Sequence, residues 1–111
     1  MTQLHDILRL SAVPHIGQFR LRSLISHFGS AGNVLSASSG EICRIDNIDK
    51  KIAGAIRNSK TEKFADTQIE NADKWNIKII SLWDDEYPKQ LKNIYDPPCL
   101  LFIKGDPAAF L

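Results

Sequence analysis

The residues best suited to chemistry surround a tight turn near the N-terminus. Gly17 ends this turn, and Gln18, Arg20 and Arg22 follow it where a helix is expected to begin. A helix N-terminus presents free backbone N–H groups and a positive dipole end, glycine lets an anion approach the backbone, and arginine adds charge. Together with His15 in the turn, this combination predicts a contact with phosphate. Because phosphates carry no base information, such a contact is independent of base sequence and weakened by salt.

The turn and its helices are repeated 32 residues further along the chain. The corresponding apolar positions of the two units are Val13 and Ile45, Ile16 and Ile48, Leu21 and Ala53, and Leu24 and Ile56. Each unit resembles one half of a tandem helix-hairpin-helix arrangement, whose hairpin reads apolar-x-Gly-apolar-Gly. His15 replaces the first glycine of the first unit, and Asn47 and Asp49 replace both glycines of the second. The carboxylate of Asp49 stands where a phosphate would bind, and Lys50 and Lys51 follow it.

The broken glycine pattern leaves two interpretations open. In the first, the hairpins form an auxiliary phosphate-binding surface, whose candidate residues are His15, Gly17, Gln18, Arg20, Arg22, Lys50 and Lys51. In the second, the hairpins are packing joints of a helical bundle or of a protein-interaction surface that never touches nucleic acid. Salt distinguishes the two, because phosphate contacts weaken steeply as salt rises and an apolar interface does not.

The other reactive side chains form no recognisable catalytic or metal site. The three histidines lack metal-ligand spacing, and Cys43 and Cys99 lie far apart in apolar surroundings, which predicts reduced structural cysteines. The acidic run at residues 84–86 is interpreted as a solvated loop, and Trp75 and Trp83 as core or interdomain packing rather than base-stacking groups. Neither GxGxxG nor GxxxxGK[ST] occurs. We therefore expect no enzymatic activity, no cofactor and no metal.

The hydrophobic period changes along the chain. Apolar residues at helical spacing predict five or six helices up to about residue 75, with capping signals at Ser30, Ser38 and Thr61. The runs 77–82 and 99–103 predict strands, the second of them buried on both faces, with a short helix between them. Two strands do not form a stable sheet alone, so we expect the chain to continue beyond its last residue or to pair with another element.

Composition indicates a globular chain of the α+β class. The 43% hydrophobic and 24% charged residues exclude a disordered chain, and no apolar run is long enough for a membrane span. The N-terminus lacks the pattern of a secretory signal, which predicts the cytoplasm. Residues 1–60 hold eight basic residues against four acidic ones, a net charge of +4, and residues 61–111 hold six against nine, a net charge of −3. This asymmetry predicts two modules that bind different partners.

One segment near the C-terminus is specific enough to indicate a family. Its residues are Tyr87, Pro88, Leu91, Ile94, Asp96, Pro97, Pro98, Leu101, Phe102 and Gly105. Their order and spacing resemble the signature that precedes the nucleotide-fold core of the DNA-processing protein A family. The resemblance extends over essentially the whole chain, since the basic helical part fits that family's N-terminal SAM-like module.

The same signature residues have structural roles when they are considered without the family. Pro88 is expected to start the short helix, and Leu91 and Ile94 to pack that helix on the sheet. Tyr87 is expected to anchor its ring in the core with the hydroxyl group outward. The Asp96-Pro97-Pro98 run excludes regular structure and gives an extended entry into the last strand.

The resemblance implies a fold and a function. Members of the family bind single-stranded DNA, form homodimers and help to load the RecA recombinase during natural transformation. The implied fold is an α+β arrangement with a SAM-like, tandem helix-hairpin-helix domain over residues 1–60 and the opening helix and strands of a Rossmann-like domain over residues 61–111. The family's main DNA-binding loop lies beyond Leu111, so it cannot be assigned to a residue here. The alternative is a helical protein-interaction module without DNA contact.

Overall fold

The computed structural model describes residues 2–104, which form helices followed by a small sheet. The elements are α1 (Thr2–Ser11), α2 (Gly17–Phe28), α3 (Ala31–Ser36), α4 (Ser39–Ile42), α5 (Lys50–Arg57), α6 (Glu62–Lys74), β1 (Ile77–Ser81), α7 (Lys89–Lys92) and β2 (Leu100–Lys104). The predicted order is confirmed: five helices are followed by a helix, a strand, a short helix and a strand. The α+β class is confirmed at this level.

Local sequence signals account for the ends of α2, α3 and α4. Gly29 ends α2 with a left-handed backbone (φ 88°), which glycine adopts without steric cost. The Ser30 hydroxyl accepts a hydrogen bond from the Asn33 N–H at the start of α3. Ser38 and Glu41 form the predicted capping box at α4, and the backbone and side-chain hydrogen bonds from Ser38 hold the pKa of Glu41 below its usual value. These caps explain why such short helices form.

The predicted cap at Thr61 is wrong. The backbone of Thr61 has φ −107° and ψ 6°, whereas Ser30 and Ser38 are extended, as a capping residue normally is. Consequently the Thr61 side chain makes no capping hydrogen bond, and its buried Oγ1 has no partner among the described residues. Asp49, which was not predicted as a cap, has the extended backbone and accepts from the Ile52 N–H at 2.9 Å.

The main hydrophobic core lies among the first five helices. All eight apolar positions of the internal repeat are buried in it: Val13, Ile16, Leu21, Leu24, Ile45, Ile48, Ala53 and Ile56. Helices α1 and α3 add Ile7, Leu10 and Val34, and Cys99 from the C-terminal part joins the same cluster. The repeat in the sequence is therefore a repeat of core positions, which supports the helix-hairpin-helix interpretation.

Helix α6 packs against α1 and β1, and its apolar residues differ in burial. Ala65 and Ala72 are buried, but Phe64 is 44% and Trp75 59% exposed. The alanines lie two turns apart on one helix face and allow close approach. Trp75 comes after the end of the helix, outside this face, and does not pack in a core of the described residues, so of the two predicted roles only interdomain packing stays a prediction. Trp83 does pack against the main core.

The two strands form an antiparallel sheet in which Ile79 pairs with Phe102 and Ser81 with Leu100. Beneath it lies a second small cluster made by Ile80, Tyr87 and Ile103. The prediction that residues 99–103 form a strand buried on both faces is wrong, because Phe102 is 52% exposed. Within the described residues this sheet has two strands, and only one of its faces is covered by the second cluster.

Two glycine-to-alanine substitutions are expected to change stability in opposite directions. Gly17 has φ +66°, so alanine there should lower the free energy of unfolding by about 1 kcal/mol, although no atom would crowd the new methyl group. Gly54 lies inside α5 with open space around it, so alanine should raise stability by roughly 0.5–1 kcal/mol. Urea unfolding of both variants checks the signs, and a stabilising Gly17→Ala would contradict the left-handed turn.

Candidate nucleic-acid interface

The two hairpins share an unusual backbone conformation at the position of the motif's first glycine. His15 has φ 68° and Asn47 has φ 69°, both in the left-handed region that favours glycine. Asparagine and histidine tolerate this region better than most residues, so the turn survives both substitutions. At the second glycine position the units differ, because Gly17 is left-handed (φ 66°) and Asp49 is extended. The second hairpin therefore lacks the left-handed glycine of the first and has instead a carboxylate that caps α5.

Arg20 joins the two hairpins. Its Nε donates to the carbonyl oxygen of Asn47 at 2.8 Å, and one of its terminal nitrogens donates to the carbonyl oxygen of His15 at 3.1 Å. Both acceptors are the left-handed residues of their turns. One guanidinium group therefore fixes the spacing of the two loops and places a positive charge between them.

The two helix starts differ in their availability to an anion. No side chain caps the first turn of α2, which follows the glycine-containing hairpin. The first turn of α5 is capped by the Asp49 carboxylate, which occupies the position of a bound phosphate. An anion bound by a helix start is therefore expected at α2 rather than at α5.

Two exposed lysines lie beside the second hairpin. Lys50 and Lys51 form no ion pair with another described residue. An open groove of about 400 Å³ is lined by Lys51 and Asp49 from the second hairpin and by His15 from the first. We use the term hairpin surface for His15, Gly17, Arg20, Lys50 and Lys51, because the contacts of Arg20 and this groove connect the two turns.

The remaining two candidate residues, Gln18 and Arg22, contact the C-terminal part of the chain instead. The Gln18 side-chain oxygen accepts from the Cys99 N–H at 2.8 Å, and the Cys99 thiol lies 3.8 Å from the Gln18 carbonyl oxygen. Arg22 donates to the Pro97 carbonyl oxygen at 2.8 Å and pairs with Asp96 at 2.6 Å. Arg22 is also mostly buried, with a side chain 17% exposed. These contacts dock α2 on the segment from Asp96 to Cys99.

The structure places several of the signature residues at packing positions, and Tyr87 and Ile94 differ from the arrangement predicted for them. Tyr87 is buried, but its hydroxyl group donates to the Pro98 carbonyl oxygen at 2.8 Å rather than pointing outward, and burial raises its pKa. Leu91 packs against the small cluster of the sheet, whereas Ile94 is 48% exposed because α7 ends at Lys92. Pro88 precedes α7 as its N-cap residue and is fully buried. Gly105 lies outside the described residues.

The prolines of the signature have a clear role in this packing. Both lack an N–H group, and their carbonyl oxygens accept hydrogen bonds from side chains, Pro97 from Arg22 and Pro98 from Tyr87. The segment thus has no regular secondary structure, yet both proline carbonyl oxygens have hydrogen-bond donors. Next to it, burial raises the pKa of the Cys99 thiol to about 11, as expected for a reduced structural cysteine.

Sequence reasoning missed Phe19 and Arg44. Phe19 is 57% exposed in the first turn of α2, and it lines an open groove of about 570 Å³ together with Ser23, Ser26 and Arg44. The signal was present in the sequence, because Phe19 lies outside the core stripe of α2 that contains Leu21, Leu24 and Ile25. An apolar ring outside that stripe indicates a surface role.

The described residues contain neither a metal-binding cluster nor a membrane-spanning helix. Within residues 2–104, no three His, Cys, Asp or Glu side chains are grouped closely enough to hold a metal ion. The acidic run at residues 84–86 is an exposed loop, as predicted, in which Asp84 accepts from the Ser81 N–H and Glu86 pairs with Lys78. No helix of the described segment is both long enough and apolar enough to cross a bilayer.

Comparison with known families decides how the signature segment is assigned. Residues 78–110 match the family described as DNA recombination-mediator protein A. The resemblance to this DNA-processing family is confirmed over these residues. In the structure, the matched segment contains most of β1, all of α7 and β2, and the Asp96–Cys99 contacts with α2.

Other similarities are to UvrABC system protein C. UvrABC system protein C of Clostridium acetobutylicum is 40% identical over 53 residues, 48% of this chain and 8% of that protein. The protein of the same name from Methanosphaera stadtmanae is 38% identical over 47 residues, 42% of this chain and 8% of the relative. The chain thus spans less than a tenth of the length of these curated relatives. No solved structure matches.

Proposed function

We propose that this chain is the N-terminal portion of a DNA recombination mediator, and that its hairpin surface is an auxiliary contact for the phosphates of single-stranded DNA. The observation that carries the proposal is the pair of hairpins joined by Arg20, because it connects a left-handed glycine turn, an uncapped helix start and two exposed lysines. The match at residues 78–110 implies a recombination mediator. The similarity to UvrABC system protein C supports a DNA-binding region of the helix-hairpin-helix type.

The structure narrows the set of residues that this proposal assigns to DNA. Gln18 and Arg22 already hold the Asp96–Cys99 segment, so we assign them to the internal contact. His15, Gly17, Lys50 and Lys51 remain as the phosphate-contacting group. Arg20 positions the two loops and contributes its charge.

The wider function is part of the same proposal and rests on the family match. We infer a non-catalytic, cytoplasmic protein that acts in natural transformation, with RecA and a second copy of the full-length chain as partners. We also infer a SAM-like helical unit over residues 1–60 and the start of a Rossmann-like unit over residues 61–111. The two hydrophobic clusters match this division in part, because one lies mainly among α1–α5 and one under the sheet, while Cys99 joins the first cluster and α6 packs against α1.

A salt titration tests the hairpin surface. Fluorescence anisotropy would follow the binding of a labelled oligothymidine at several salt concentrations. The variant Lys50→Gln/Lys51→Gln should make the slope of log K against log salt shallower by about 1.4, since each phosphate contact to a single strand contributes about 0.7. The matched control is Lys89→Gln/Lys92→Gln, which removes the same charge from exposed positions on α7. It should leave the slope unchanged.

Two outcomes would oppose the proposal. If both double-lysine variants change the slope of log K against log salt equally, the net charge of the chain, and not the hairpin surface, would determine binding. No binding at low salt would leave the helical unit as a protein-interaction module, which is the alternative that the sequence left open.

A further inference from the structure

We propose that the groove between α2 and the second hairpin binds one nucleotide of a single strand, with its base stacked on Phe19 and its phosphate held by Arg44. This inference rests on the proposed function and specifies the ligand at a site that the phosphate argument did not include. The groove has a volume of about 570 Å³, within the range of roughly 300–1,000 Å³ typical of ligand sites.

Phe19 provides an aromatic ring on which a base can stack. Phe19 is 57% exposed, although an apolar ring of this size gains from burial. Ser23 and Ser26 follow it by four and seven residues, on the same face of α2, and line the same groove. The guanidinium group of Arg22 lies 5.9 Å from the centre of the Phe19 ring, so the ring is held from one side by a residue that is itself fixed to Asp96. A positioned, exposed ring is what base stacking requires.

The polar residues that line the groove favour a nucleotide base over phosphate groups alone. Arg44 supplies a cation and is exposed, and no described acidic side chain forms an ion pair with it. Asp46 lies in the same groove and would repel a second phosphate. A carboxylate and serine hydroxyl groups are acceptors that suit the amino and imino groups of a base edge. The mixture of ring, cation and acceptors therefore fits a whole nucleotide.

The ligand is a single strand rather than a duplex. Base faces inside a duplex are stacked on each other and are not available to a protein side chain. In single strands an aromatic side chain contributes about 1–3 kcal/mol per stacked base, which corresponds to roughly 5- to 150-fold in affinity.

A pair of oligonucleotides with equal charge tests the proposal. Anisotropy would compare a ten-nucleotide oligothymidine with an abasic strand of the same length, for the natural chain and for Phe19→Leu. The natural chain should prefer the strand with bases at least about fivefold, and Phe19→Leu should abolish this preference. Phe64→Leu, which alters another exposed phenylalanine on α6, should retain it. Arg44→Gln should make the salt slope shallower by about 0.7 on both strands.

Each result has a definite meaning. Equal binding of both strands by the natural chain, or an unchanged preference in Phe19→Leu, would overturn the stacking site while leaving the phosphate contact of the hairpin surface intact. Absence of binding to either strand at low salt would overturn the proposed function and this inference together.

Discussion

Replacement of Ile16 by alanine should lower the free energy of unfolding by roughly 2–5 kcal/mol, and replacement of Ile48 should cost a similar amount. The two side chains occupy equivalent positions in the hairpins and are only 2% and 6% exposed in the same core. Truncation removes buried apolar surface and leaves a cavity, because a close-packed core relaxes only partly around it. Because both positions are equivalent and buried in the same core, similar costs are expected.

Urea unfolding followed by circular dichroism would measure these costs. Ile94→Ala is the matched control, since Ile94 is 48% exposed and should change stability by no more than about 0.5 kcal/mol. An Ile48→Ala variant as stable as the natural chain would mean that the second hairpin does not pack as described.

Replacement of Arg22 by methionine should lower the free energy of unfolding by about 1–3 kcal/mol without changing the salt dependence of DNA binding. Methionine keeps an apolar stem but leaves the carbonyl oxygen of the buried Pro97 without its donor. Asp96→Asn should cost less, because the Asp96 side chain is 57% exposed and a screened ion pair contributes little.

The two readouts separate the possible roles of Arg22. A structural contact with the Asp96–Cys99 segment predicts a change in the urea midpoint and an unchanged salt slope in anisotropy. Normal stability together with a shallower slope would instead return Arg22 to the DNA-contacting group. Lys78→Met is a useful control, because it breaks an exposed ion pair with Glu86 and should change stability by less than about 1 kcal/mol.

Much of the helical part was predictable because its signals are local. The capping residues Ser30 and Ser38, the glycine that ends α2 and the 32-residue repeat of apolar positions all have the roles that their types and spacing indicate. The caps depend on hydrogen bonds within a few residues along the chain, and the repeat is visible as a regular spacing of apolar residues. The cap predicted at Thr61 does not form, because the backbone angles of this residue, rather than its type, decide whether it can cap a helix.

The errors arose where distant contacts decide the outcome. An arginine after a hairpin glycine is typical of a phosphate contact, but nothing near Arg22 in the sequence shows that Pro97 lies beside it. Trp75 and Phe102 were predicted to be buried, yet they are 59% and 52% exposed among the described residues, since neither local sequence shows which elements will cover the side chain. Arg20 is the opposite case, since its charge was noticed but its link between both turns appears only in three dimensions.

In the proposed function, the paired hairpins form the surface that binds single-stranded DNA. The most direct test is to titrate the isotope-labelled chain with oligothymidine and follow the backbone amide resonances by NMR. We predict that the largest shifts occur at His15, Gly17 and Lys51, with small changes in α6 and at the sheet. Shifts confined to residues 62–104, with the two turns unaffected, would contradict the account.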